Sequence, residues 1–313
     1  MTTSNSLRTG LLSRATVAAL TAALVATGTS AVAADRPDSA DRGAGRLASE
    51  LAERGARAAG ADGRNAAPGA AEQRALYAFD GGILYGYAPD GAGGYQARQR
   101  LGSGWETIKH GAQADNDGDG FADDVWLWDR GGYLHYSASE SAEAIVVGGG
   151  WNIYNHTFSP GDLNGAPGAE LLARDSAGVL WIYAGHGDGR VAPRVRVGGG
   201  WNVYDRIAGL GDLTGDGKAD IVAVDKAGDF WLYEGTGDHR TPFKPRTKTG
   251  WGWHVYNAVV GAGDLDLDGR SDLIARDRAG DLWRYSGTGD ATTPYKPRVK
   301  IGTGGWNAYR SLF

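Results

Sequence analysis

No cysteine occurs in the 313 residues, so no disulfide can brace the fold, and an exported chain of this size needs some other staple, of which bound metal is one candidate. Also absent are a phosphate-binding glycine loop of the P-loop or Rossmann form, a Ser/His/Asp signature, and a histidine pair at metal-ligand spacing, which removes the usual sequence grounds for a nucleotide enzyme, a serine hydrolase or a zinc site. The apolar run Ala15–Ala26 is about a dozen residues, short of the roughly 20 that span a bilayer. It follows Arg8 and Arg14 and precedes Ala31-Val32-Ala33, the layout of an export signal over residues 1–33 with an A-x-A cleavage site. Removing Arg8 and Arg14 from 32 basic residues leaves 30 against 37 acidic, a net charge of −7 that opposes binding to nucleic acid or to an anionic membrane.

What the chain has in excess is glycine, 52 residues with no collagen period, together with 11 Trp and 14 Tyr. Glycine supplies positive φ in tight turns and the aromatics suit pleated, half-buried surfaces, so the expected class is all-β. Residues 34–73 are rich in Ala, Arg, Gly and Asp with few large apolar side chains; they read as a disordered linker, within which Arg46–Arg57 could form a short helix bearing Leu47 and Leu51 on one face.

From residue 74 a unit repeats. An apolar strand ends in Asp80, Asp129, Asp175, Asp225 or Asp277, a turn closes on Gly132, Gly178, Gly228 or Gly280, and an aromatic strand follows, as in Val179-Leu180-Trp181-Ile182-Tyr183. These read as hairpins in which the Asp side chain bonds the turn backbone. Each unit then reaches a Gly-Trp signature at Trp105, Trp151, Trp201, Trp253 or Trp306, and the spacings of 46, 50, 52 and 53 residues match a four-stranded propeller blade. The first unit lacks a preceding strand, while the last overruns its signature with Tyr309-Arg310-Ser311-Leu312-Phe313. The expectation is a five-bladed β-propeller of four-stranded antiparallel blades over 74–313, its ring closed by the C-terminal strand, which abolishes the open sheet edge.

Three connecting loops follow D-x-[DNT]-x-D-G-x-x-D. They are Asp115, Asp117, Asp119 and Asp123; Asp212, Thr214, Asp216 and Asp220; and Asp264, Asp266, Asp268 and Asp272. Hard oxygens at alternate positions, a glycine at the sixth, and the carbonyls of Phe121, Lys218 and Arg270 at the seventh are what Ca2+ needs to gather six or more ligands. Without a cation such packed carboxylates repel one another. The loop from Asp162 to Glu170 has lost two of these features and is expected to be metal-free; the Asp115 loop carries one extra residue before its strand.

The acidic loops with their following strands resemble the FG-GAP or VCBS-type repeats of integrin-like propellers, over about residues 111–290, a resemblance that implies calcium in the loops. The signature Gly304-Gly305-Trp306-Asn307-Ala308-Tyr309, in five units of about 50 residues, resembles the tachylectin family of five-bladed lectins, which implies N-acetylated sugars held between neighbouring blades. Here acidic loops are inserted, and Glu106 and His254 stand where that family has Asn. Two roles are open to the signature: Trp packing between blades with Asn capping a turn, or Trp151, Trp201 and Trp306 stacking on a sugar whose groups bond Asn152, Asn202 and Asn307.

For catalysis the unrepeated acids are Glu140, Glu143 and Glu234, but a glycosidase needs two unlike carboxylates set apart in one cleft, and nearly every acid here recurs by symmetry. The resulting expectation is a secreted, monomeric, calcium-stabilised binding module for an extracellular glycan, with a cell-surface protein partner or a polysaccharide hydrolase as alternatives.

Overall fold

The computed structural model describes residues 71–117, 120–138, 144–165 and 168–313. The export signal, residues 34–70 of the linker with its helical stretch, Asp119, Glu140 and Glu143 lie outside the described residues. Among the described residues no helix is long and apolar enough to cross a membrane.

Five four-stranded antiparallel sheets form the ring. Blade one holds β1 (Leu76–Asp80), β2 (Ile83–Tyr87) and β3 (Gln99–Ser103), and blade two holds β4 (Ile108–Ala114), β5 (Asp124–Asp129), β6 (Leu134–Ser137) and β7 (Ile145–Gly148). Blade three is β8 (Tyr154–Gly161), β9 (Glu170–Asp175), β10 (Leu180–Tyr183) and β11 (Val195–Gly198). Blade four is β12 (Tyr204–Gly211), β13 (Asp220–Asp225), β14 (Phe230–Tyr233) and β15 (Thr247–Gly250). Blade five is β16 (Tyr256–Gly263), β17 (Asp272–Asp277), β18 (Leu282–Tyr285) and β19 (Val299–Gly302). The last strand, β20 (Ser311–Leu312), pairs with β1 and gives blade one its fourth strand. The first strands β4, β8, β12 and β16 face one another, with β20 beside β4. Their approach is close enough that a side chain on Gly209 of β12 would strike the Ser159 carbonyl of β8 at 2.2 Å.

No blade has a core of its own. Five apolar clusters each sit between two neighbouring blades; one joins Phe158, Leu172 and Ile182 of blade three to Trp201, Tyr204 and Ile221 of blade four. A lone blade would expose both faces, so the ring is the smallest unit that buries them. The leucines of the acidic loops, Leu163, Leu213 and Leu265, are buried in the clusters toward the following blade.

The turns form as their residues dictate. Gly132, Gly178, Gly228 and Gly280 take φ of 78–85°, and the Oδ1 of Asp129, Asp175, Asp225 and Asp277 accepts the N–H four residues on. The other carboxylate oxygen meets the third strand, accepting the indole N–H of Trp181, Trp231 or Trp283, or facing His135 in blade two. Asp80 heads a shorter turn and pairs directly with Ile83.

One boundary differs from the expectation. Ala71, Glu72 and Gln73, the end of the stretch read as linker, lie across the loop end of the ring. Gln73 bridges both Gly263 and Phe121, the Glu72 carbonyl accepts the Asp264 N–H at 2.9 Å, and Ala71 donates to Gly269. These bonds use main-chain groups, on which composition carries no information.

Candidate metal loops and interblade cavity

The Asp264 loop brings three acids together. Asp264, Asp266 and Asp268 can each offer an oxygen within 4.8 Å of the others, a spread that one Ca2+ with ligands at about 2.3–2.6 Å can bridge. Asp264 is tied from behind, Oδ1 accepting the Asp268 N–H at 3.0 Å and Oδ2 the Gly269 N–H at 2.8 Å. Ser286 and Arg284 approach Asp266 Oδ2 at 2.8 and 3.4 Å, whereas its Oδ1 is buried without a hydrogen-bond partner. That orphaned oxygen fits a metal ligand. Leu267, between two of these acids, takes φ of 60° where Gly165 and Gly215 stand in the sister loops, a left-handed conformation disfavoured for a leucine.

Asp272 turns elsewhere. It is fully buried and accepts the Gly287 N–H at 3.0 Å and the Leu265 N–H at 3.3 Å, bracing the loop against the end of the third strand. Asp220 does the same with Gly235, Leu213 and Thr214, and Glu170 with Leu163 and Asn164. Burial is the main cause that raises these carboxyls, Asp220 to about 6 and Asp272 and Glu170 to about 7. Burial likewise raises Asp264 to about 6, with Asp268 and Asp266 adding repulsion. A bound cation acts in the opposite direction on such groups.

In the Asp212 loop, Asp212 accepts the N–H groups of Gly215, Asp216 and Gly217, while Thr214 Oγ1 is buried without a partner. Lys218 and Arg270 donate their N–H to Asp216 and Asp268 at 3.1 Å, so the two loops turn alike at the seventh position. The Asp115 loop follows a different register. Asp115 Oδ2 accepts the Gly120 N–H at 2.9 Å, but the extra residue places Asp124 rather than Asp123 at the head of the strand, where Asp220 and Asp272 stand. Asp124 is buried and accepts the Tyr136 hydroxyl at 2.8 Å. Counting back from Asp129 at the five-residue interval of the other units finds it.

The Trp signatures pack inward. Trp151 and Trp201 are 7% and 6% exposed, packed at a tilt against Tyr183 and Tyr233 with ring centres 4.6 and 4.8 Å apart, and Trp306 is half-buried against Tyr87 at 4.7 Å. Asn152, Asn202 and Asn307 are exposed; the Asn202 amide donates to the Ser176 carbonyl and that of Asn307 to Arg278. Each signature thus clamps the hairpin turn of the blade before it.

A cluster that the sequence reading does not contain accompanies each signature except that at Trp105. Arg98, Arg194, Arg246 and Arg298 lie over Tyr85, Trp181, Trp231 and Trp283 at 3.9–4.8 Å and bond the hydroxyls of Tyr309, Tyr154, Tyr204 and Tyr256. The recurring Pro-Arg pair before the fourth strand, Pro193-Arg194, Pro245-Arg246 and Pro297-Arg298, is its signal in three units.

Between blades two and three a cavity of about 270 Å³ opens, lined by Lys109, His110, Trp128, Asp129, Trp151, Tyr154, Asn155, His156 and Thr157. Packing of the inner strands pushes His110 down to about 3 and His156 to about 4, so both are neutral at pH 7.

Residues 212–275 match the FG-GAP-like repeat family, and they run from the acidic loop of blade four into the second strand of blade five. No curated protein matches the chain. Solved structures similar to it include Prp20p from Saccharomyces cerevisiae, described with its binding to Gsp1p and histones, at 10% identity over 71% of this chain and 59% of that one, with a TM-score of 0.36. Human WBSCR16 is 12% identical over 70% of this chain and 63% of its own, with a TM-score of 0.35. AofleA from Arthrobotrys oligospora is 9% identical over 76% and 75%, with a TM-score of 0.40. The chain thus spans about three fifths of Prp20p and WBSCR16. The class defined by fold and repeat is a five-bladed β-propeller carrying FG-GAP-like sequence in its fourth and fifth blades.

Proposed function

We propose that the protein is an exported, calcium-stabilised propeller that binds carbohydrate between its blades and performs no catalysis. The cavity beside Trp151 carries the binding reading: it is concave, and the rings of Trp128, Trp151 and Tyr154 stand beside hydrogen-bonding groups of Lys109, His110, Asp129, Asn155, His156 and Thr157, a combination that suits a polar ring. The amides of Asn152, Asn202 and Asn307 are exposed at the corresponding edges, whereas the Trp201 indole is covered. Support for calcium comes from the convergence of Asp264, Asp266 and Asp268, with Asp212, Thr214 and Asp216, and the Asp115 loop, as further candidates. Ca2+ would neutralise these carboxylates and fix the loops. Against catalysis, the buried acids Asp220, Asp272 and Glu170 are repeated and occupied as loop braces.

The test is a glycan array probed with the secreted chain in calcium and in EDTA, with the mature N-terminus read by mass spectrometry. Retention of a defined glycan class supports the reading. A blank array in both conditions, on folded protein, overturns it in favour of a protein-interaction scaffold, which Trp251, 81% exposed, independently favours.

A further inference from the structure

The second residue from the end of the second strand faces the following blade's signature. In blades three and five it is an arginine: Arg174 bonds the carbonyls of Trp201 and Tyr204, and Arg276 those of Trp306 and Tyr309. In blade two it is Trp128, which packs edge-on to Trp151 with ring centres 6.0 Å apart. There the cavity opens.

Its wall is chemically specific. Trp128 is 3% exposed, and its indole Nε1–H is a buried donor without a partner. Such a group normally finds an acceptor, in protein or in a ligand. His156 places Nε2 2.8 Å from the Ile207 carbonyl, which can only accept, so Nε2 carries the hydrogen and the neutral ring keeps Nδ1 as an acceptor. The Lys109 side chain is exposed at the rim and has no carboxylate within ion-pair distance among the described residues.

Cations stand on the sides of the cavity away from Asp129. Arg310 and Lys109 act on His110, and Arg174 on His156, each disfavouring a further positive charge. Arg174 and Arg310 spend their bonds on backbone carbonyls and Asn155, which leave their charges in place. Asp129 lines the cavity and likewise keeps its charge, but its oxygens are turned to the Tyr133 N–H and His135, while Glu106 and Asp205 act on Arg310 and Arg174. About 270 Å³ lies just below the range of roughly 300–1,000 Å³ usual for drug-sized ligands, room for one ring.

We propose that this cavity binds one carboxylate-bearing sugar residue, with Lys109 meeting the carboxylate, Trp128 Nε1–H donating to a sugar oxygen, and His156 Nδ1 accepting a hydroxyl proton. The proposal rests on the carbohydrate-binding reading and makes it asymmetric: one site per chain, not one per blade.

Calorimetry on the full mature chain in calcium tests it, with a glucuronate-containing oligosaccharide and its uncharged glucose counterpart as probes. The expected result is one site per chain, at least tenfold preference for the acidic probe, and loss of that preference in Lys109→Gln. Trp128→Phe, checked for folding by its melting curve, should weaken both probes about tenfold or more. Several equivalent sites, or unchanged affinity in both variants, would overturn the cavity while leaving carbohydrate binding intact. Failure of both probes on a protein that retains other glycans also overturns the cavity alone, whereas failure together with a blank array removes proposal and reading together.

Discussion

Phe313 and Tyr77 hold each other twice: their rings stack with centres 5.3 Å apart, and their backbones exchange hydrogen bonds of 2.7 and 3.0 Å. Phe313 also stacks on Phe79 at 5.4 Å, and Arg310 seals the seam by donating to Gly81, Lys109 and Trp105. Phe313→Ala should therefore cost about 3–5 kcal/mol, the range for deleting a buried aromatic ring. Deleting Tyr309–Phe313 should cost more, because it strips a strand and exposes the β1 edge. Denaturant melts of the two variants against the parent check both, and a truncation as stable as the parent would refute closure.

The strap formed by Glu72 and its neighbours predicts a sharp boundary. A chain starting at residue 71 should keep the parent's stability, whereas one starting at Ala75 should lose the bonds to Asp264, Gly269, Gly120 and Ala122. Gly263→Ala should mimic that loss, since its Cβ would fall 2.1 Å from the Glu72 carbonyl at a φ of 62°. Melting temperatures of the three proteins decide it; equal losses for both truncations would place the boundary further upstream.

Calcium at the Asp264 loop predicts a concentration-dependent gain. At about 100 times the dissociation constant, one site that forms only in the folded state adds roughly 2.7 kcal/mol. Asp266→Asn should abolish that gain while changing the EDTA-treated protein far less, because the orphaned oxygen then loses charge but keeps its shape. The readout is the melting shift between calcium and EDTA; an identical shift in the variant would remove Asp266 from the site.

How far the sequence could be read follows from which features repeat. The hairpins ending in Asp175, Asp225 and Asp277 and the closing strand were legible because period, turn chemistry and a missing strand all named the same ring. One extra loop residue shifts the strand head to Asp124, whereas the D-x-D-x-D-G-x-x-D spacing points to Asp123. The Glu72 strap bonds through its backbone, and the Trp128 cavity comes from one unrepeated side chain, so neither leaves a periodic trace. The signature leaves two roles open; Trp201 is buried and the Asn202 amide donates to the Ser176 carbonyl, which accounts for the packing role and leaves the sugar role to the glycan array.

Glu170 gives a pH dependence in the loop expected to be metal-free. Its carboxyl is raised from the ordinary 4.5 to about 7, by burial first and by the nearby Asp162 charge, against the lowering effect of bonds from Leu163 and Asn164. The folded protein therefore holds this proton more tightly than the unfolded chain does. Its contribution is fully present below about pH 4.5 and is lost as pH rises through about 7. A Glu170→Gln variant keeps the size and cannot ionise, so the stability difference between parent and variant should shift against the parent from pH 5 to pH 8. The shift should be at most roughly 3 kcal/mol, from about 1.36 kcal/mol per unit. Urea melts of both proteins in EDTA across that range measure it directly. A difference that stays flat would mean that Glu170 ionises in the fold as it does in water, and that Leu163 and Asn164 hold it charged.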